Sequence, residues 1–215
     1  MDYSQYSLAK TGYLKEDFRL FHINDRTDRE FEWHYHDFHK IIVFVSGKVT
    51  YHIEGKAYHL KPQDILLVSQ GAIHKPELDP AVPYERYIFW LREDLSRPEL
   101  NTCFQKANDR SFNLVRLDSA LQERLKDLLP EIEQSLRGDQ FGDNFLSEAL
   151  FTQFMVYINR IFLKSSTAPD RKSYSSDSQV EQLLKYINRN LPEDLSNDSL
   201  AGKFFYSKYH IIRKF

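Results

Sequence analysis

Between residues 18 and 92, apolar positions come in short runs rich in β-branched and aromatic side chains: "FRLFHIN", "KIIVFVS", "KVTYHIE", "AYHL", "DILLVS" and "YERYIFWL". Such runs suit strands. The breaks between them carry Ser46-Gly47, Gly55-Lys56, Pro62-Gln63-Asp64 and Gly71, residue types that supply turn geometry. Several short strands at this spacing predict a barrel or sandwich. The texture changes after Pro98, and Leu121, Leu125, Leu128, Ile132 and Leu136 then recur at three- and four-residue intervals, one stripe of an amphipathic helix. Pro130 lies inside that stripe; it removes a backbone donor and crowds the preceding turn, so a kink or break is expected there. Residues 143–164 repeat the helical pattern with Phe145, Ala149, Phe154, Ile158, Ile161 and Phe162, and Asp143 or Asn144 is placed to cap it. The stretch "KSSTAPDRKSYSSD" is small, polar and nearly without apolar residues, and residues 165–177 read as a linker. Helical periodicity returns with Val180, Leu183, Leu184 and Ile187.

The carboxyl end holds two short helices in close succession: "NDSLAGKF", a tight connection at Phe205-Tyr206, then Ser207 opening "KYHIIRKF". This is the spacing of a helix-turn-helix, and also of an ordinary helical hairpin with a basic solvated face. Leu200, Phe204, Ile211 and Phe215 would form a shared core, with the small Ala201 where the helices cross. Lys203, Ser207, Lys208, Tyr209, His210, Arg213 and Lys214 are left facing solvent or DNA. Although the chain has a net charge of −2, residues 201–215 contain Lys203, Lys208, Arg213 and Lys214 and no acid. The basic footprint is local.

Composition narrows the classes further. With 41% hydrophobic and 14% aromatic residues a real core is affordable, and apolar runs such as "IIVFV" are far short of the roughly 20 residues that cross a bilayer. The polar start "MDYSQYSLAK" lacks the order of a secretory signal, and the single Cys103 suits a reducing compartment; a cytoplasmic protein without a membrane partner is expected. There is no phosphate-cradling glycine loop and no Gly-x-Ser-x-Gly elbow, so catalytic residues are not expected.

The segment "VEQLLKYINRNLPEDLSNDSLAGKFFYSKYHIIRKF" resembles the opening of the AraC-type DNA-binding domain: Leu195, Leu200, Ala201, Ser207, Ile211 and Phe215 fall on that family's recurring positions. The region "WHYHDFHKIIVFVSGKVTYHIEGKAYHLKPQDILLV" looks like the cupin-type sensor domain of the same family. The resemblance implies an α+β chain: a cupin-like effector-binding β-barrel over 1–98, a helical dimerisation region over 99–164, the linker, and a partial helix-turn-helix domain over 178–215. The family's reader carries two helix-turn-helix units and this chain stops at Phe215, so the second is expected to be absent and specific DNA binding weak. The resemblance also implies a homodimer through Leu121, Leu125, Leu128, Ile132 and Leu136. Packing of the same stripe inside the chain is the other reading.

Three histidines crowd the stretch "FEWHYHDFHKIIVFVSG". Metal-binding cupins place His-x-His, a glutamate four residues on, a glycine seven further, and a later histidine. His34, His36, Gly47 and His74 match, but the glutamate position is Lys40. An ammonium has no lone pair to donate and would repel a dication. No metal or other cofactor is therefore expected, and a metal-dependent cupin isomerase or dioxygenase is the alternative. Strand parity puts Lys40, Ile42 and Phe44 on the side of His34 and His36, with His39 opposite. A buried ammonium needs an acid or an oxygen-bearing ligand. With Tyr51, His74, Arg86 and Trp90 it would make an effector pocket suited to a sugar or related small molecule.

Overall fold

The structure is a computed structural model. It describes residues 9–10, 14–27, 30–164, 174–190, 193–207 and 211. Two sheets face one another. One runs in the order β1 (Ala9–Lys10), β3 (His34–Tyr35), β8 (His74–Leu78), β5 (Val49–Ile53), β6 (Lys56–His59) and β11 (Tyr174–Ser176). The other runs β10 (Leu114–Val115), β7 (Ile65–Val68), β4 (His39–Ser46), β9 (Tyr84–Leu91) and β2 (Phe18–Asp25). All six strands expected from alternation are present, and every pairing but β1 with β3 is antiparallel.

Period-two alternation divides β4 between two cores. Ile42 and Phe44 turn inward and pack with Tyr51, Ile53, Tyr58, Leu66 and Tyr84 between the sheets. Ile41 and Val43 turn outward, where Phe89, Leu91 and three helices cover them: α1 (Thr102–Arg110), α2 (Ser119–Arg137) and α3 (Asp143–Lys164). The asymmetry follows from β4 carrying apolar residues on both faces, which a strand does only when both are buried.

Several expectations need correction. α2 runs unbroken through Pro130. Pro130 is solvent-exposed, so water can serve the carbonyl that lost its partner, while Leu128, Leu129 and Ile132 anchor both halves in one core. Asp143 is the first residue of α3 and not its cap: its carboxylate accepts from the Gln140 N–H at 2.8 Å, and the Gly142 carbonyl receives the Leu146 N–H at 2.8 Å. The proposed dimerisation stripe is mostly spent inside the chain: Leu125, Leu128 and Ile132 are 3%, 5% and 0% exposed, Leu121 packs at the edge of the same cluster, and only Leu136 stays open. A side chain already desolvated by its own chain has no surface left to offer a second copy. The expected linker ends early, because Tyr174–Ser176 pair with β6, and Asp177 caps α4 (Ser178–Arg189).

Among the described residues, no helix is long and apolar enough to cross a membrane.

Candidate functional site

The inward face of β4 continues past Ile42 to Lys40, whose Cα partner on β9 is Trp90. Lys40 is buried, and its Nζ reaches the Tyr51 hydroxyl at 3.5 Å. Among the described residues no acidic side chain forms an ion pair with it. Burial, with the Arg86 charge adding to it, lowers its pKa from 10.5 to about 8. Burial also pushes the Tyr51 hydroxyl well above its ordinary value, so it stays a neutral donor and acceptor.

Three imidazoles complete the group. His34 on β3 is the Cα partner of His74 on β8, their ring centroids are 4.4 Å apart, and His36 lies 5.0 Å from His74 and 5.2 Å from His34. The Nδ1 of His34 donates to the Glu32 carbonyl and that of His74 to the Ala72 carbonyl, each at 2.8 Å. A carbonyl can only accept, so both rings carry their proton on Nδ1 and present an Nε2 lone pair. Burial first, then the Lys40 charge, drives the His74 pKa down to about 2 and keeps that lone pair free of a proton. Burial likewise lowers the pKa of His34.

The walls are aromatic: Trp90 lies against Phe38 at 4.6 Å and Phe21 at 4.8 Å, and the His36 ring stacks on Phe38. Phe38 and Phe21 are site residues that sequence reading missed. Phe38 had a signal, being two positions before Lys40 and so on the same side if the strand is extended that far. Phe21 arrives from β2, a distant strand, and had none.

Arg86 has a different role from the one expected. It stands four residues from Trp90, about 13 Å along β9. It pairs with Asp25, donates to the Tyr84 carbonyl at 2.8 Å and sits 4.1 Å over the Tyr84 ring. Its charge is taken, though its Nε is unpartnered. His39 faces the other way as parity required, stacked on Phe104 of α1 with its Nε2 toward Glu93.

His34, His36 and His74 bring one ligand atom each within 4.8 Å of one another, the composition of a metal site. The set nevertheless fits a dication poorly: it contains no anionic ligand, and the charge that bears on His34 and His74 is that of the buried Lys40 ammonium. What the arrangement offers is a mixed set of donors and acceptors. The Nε2 of His74 and the Nε1 of Trp90 are buried without a hydrogen-bond partner, an acceptor and a donor respectively.

The family model for the AraC-like ligand binding domain matches residues 19–155, which take in strands β3 to β10, most of β2, helices α1 and α2, and the first part of α3. The chain belongs to the AraC-like ligand binding domain family. Its AraC-like sensor is similar to HTH-type transcriptional activators: RhaR of Mannheimia succiniciproducens is 23% identical over 170 residues, covering 76% of this chain and 57% of that one. RhaS of Citrobacter koseri is 21% identical over 178 residues, covering 81% and 61%. The AraC-like transcriptional activator CuxR aligns with 14% identity and a TM-score of 0.43 over 83% of this chain and 60% of its own. The chain thus spans about three-fifths of these relatives.

Beyond the AraC-like sensor, α5 (Asn197–Phe204) is capped by Ser196, whose hydroxyl accepts from the Ser199 N–H at 3.3 Å. Leu183, Leu200, Ala201 and Ile211 form a separate small core with Phe204 packed against it; of the four residues expected to share a core there, Phe215 lies outside the described residues. Lys203 and Ser207 are exposed; Lys208, Tyr209, His210, Arg213, Lys214 and Phe215 lie outside the described residues.

Proposed function

We propose that the chain is the sensing part, with the first portion of the DNA-reading part, of a cytoplasmic ligand-responsive transcription regulator. Its effector is a polyhydroxylated small molecule, a sugar or close relative, bound between the two sheets. The carrying observation is the set of buried polar atoms on the inner face. An imidazole acceptor, an indole donor and an ammonium without an acid are each costly to leave unmet. A sugar hydroxyl both donates and accepts, and its ring face stacks on an aromatic such as Trp90. Membership of the AraC-like family and similarity to transcriptional activators support the regulatory reading. Lys203 and the basic residues after it supply phosphate contacts in this reading, and DNA binding by these residues alone is weak.

The same reading includes a homodimer. The face for it is the open one around the α2–α3 connection, where Leu136, Phe141, Phe145 and Leu146 are exposed.

The test is calorimetric titration of a panel of pentoses, hexoses, 6-deoxyhexoses and sugar acids into the protein, its Lys40→Met variant and its Trp90→Phe variant. One member of the panel should bind, and each substitution should weaken it about ten-fold or more. Stoichiometric zinc or iron in the purified protein, lost in His36→Ala, would favour the metal-dependent enzyme and overturn this ordering.

A further inference from the structure

β11 and α4 lead from the barrel to α5, and both rest on the β5–β6 hairpin. β11 pairs with β6 through Tyr174 opposite Tyr58, Ser175 opposite Ala57 and Ser176 opposite Lys56. The Asp177 N–H donates to the Gly55 carbonyl at 3.4 Å. Val180 covers Gly55 so closely that a Cβ there would come within 2.8 Å of Val180 Cγ1. Lys56 Nζ meets Glu181 Oε1 at 2.9 Å, with the two side chains only 7% and 18% exposed. A pair this buried holds one geometry, because separating the partners leaves a desolvated charge behind.

The turn of that hairpin is held from the pocket side. Glu54 has a left-handed φ of 48°, unfavourable for a residue with a Cβ. Its carboxylate accepts the Ile73 N–H at 2.7 Å, and its own N–H donates to the Ile73 carbonyl at 3.0 Å. Ile73 is followed by His74, whose ring is pinned to the Ala72 carbonyl, and Gly71 N–H donates to the His36 carbonyl at 2.9 Å. The short segment Gly71–His74 therefore bonds to His36 through its first residue, ends in His74, and meets the Glu54 turn through Ile73, next to His74. A cavity of roughly 630 Å³, lined by Glu54, Lys56, Gln70, Asn108, Glu181 and Leu184 among others, lies between this segment and α4 and leaves room for movement.

We propose that Gly71–His74 and the Glu54–Lys56 turn form a relay through which occupancy of the inner pocket sets how firmly α4 is held against the barrel. The proposal rests on the reading of that interior as an effector pocket. A ligand that engages His74 displaces the ring and with it the Ala72 carbonyl. Both backbone groups of Ile73 then carry the shift to Glu54, and through the turn to Gly55 and Lys56. The two-state element is α4, docked or released, and the coupling is reciprocal.

Hydrogen–deuterium exchange on the full 215-residue chain, with nothing added, tests the relay. Glu181→Gln should speed exchange across residues 178–190 about five-fold or more, with β4 and β9 unchanged. His74→Ala should speed the same α4 peptides although, among the described residues, no hydrogen bond or ion pair joins His74 to α4, and His74→Asn, which keeps a donor near the Nδ1 position, should restore them. In the double variant His74→Ala with Glu181→Gln, the second change should add little. The relay is overturned if His74→Ala alters only peptides around residues 69–75, or if the two effects multiply independently. Should His74→Ala fail to fold, Glu54→Ala cuts the same path one step later, and unchanged α4 exchange there is equally fatal. Because no ligand is used, a negative result leaves the effector reading standing. Failure of every sugar to bind would count against that reading alone.

Discussion

Replacing Lys40 by methionine should make the protein more stable, by an amount that depends on pH. In the unfolded chain the Lys40 ammonium titrates near 10.5, whereas in the fold it titrates near 8 because burial, and then the Arg86 charge, disfavour the cation. Between those values the unfolded chain binds more protons than the folded one, so stability rises with pH across that window. Below about pH 8 the fold carries the whole penalty, about 3 kcal/mol at 1.4 kcal/mol per pH unit. Methionine has a similar length and no charge, and it forfeits only the long 3.5 Å contact to Tyr51. Urea unfolding at about pH 7 should therefore show Lys40→Met more stable by about 3 kcal/mol, or about 6–12 °C in Tm, and near pH 10 the advantage should shrink below about 1 kcal/mol. A variant equally or less stable at pH 7, or an advantage that does not decline toward pH 10, would refute the claim that an unpaired ammonium is held inside the barrel.

His74 makes an opposite demand on acid conditions: unfolded it takes a proton below about 6.5, folded only near 2, so stability should fall on acidification. Between pH 6.5 and about 5 that loss is about 2 kcal/mol, and chemical denaturation of His74→Asn should show a correspondingly shallower decline. Ile132→Ala and Leu125→Ala should each cost about 2–5 kcal/mol in urea unfolding without changing oligomeric state, since both side chains lie in the chain's own core. Phe145→Ser should leave stability within about 0.5 kcal/mol, and sedimentation should show weakened self-association if the α2–α3 face joins two copies. Gel-shift titration of the 215-residue chain should show weak, salt-sensitive binding without sequence preference, and nanomolar specific binding would contradict the proposal.

The strands that sequence exposed are those whose two faces differ or are both apolar: β2, β4, β5, β6, β7 and β9 all carry that pattern. β4 is regular enough that counting by twos placed Lys40 inside and His39 outside. β8 escaped because "HKPEL" contains proline and charge. The structure explains its tolerance, for β8 pairs with β3 only at His34 and His74, so near Pro76 one side of the strand carries no ladder bond. α1 was not anticipated as a separate helix, since only Cys103, Phe104 and Ala107 turn inward along its nine residues. Arg86 was misassigned because its partner Asp25 lies 61 residues away, beyond anything local patterning reports. β11 was invisible for another reason: its bonds to β6 are backbone bonds, which hydropathy does not register.

β11 also shields the outer edge of its sheet. Without Tyr174–Ser176, the row of amides and carbonyls on the far side of Lys56–His59 would meet solvent, in a strand half made of buried residues. Bare edges of that kind recruit other strands. A sensor domain cut at Lys164 would therefore be expected to self-associate edge to edge, as concentration-dependent light scattering would report, and retaining residues through Asp177 should prevent it. A strand of three residues, contributed from beyond α3, thus guards the sheet that precedes it against aggregation.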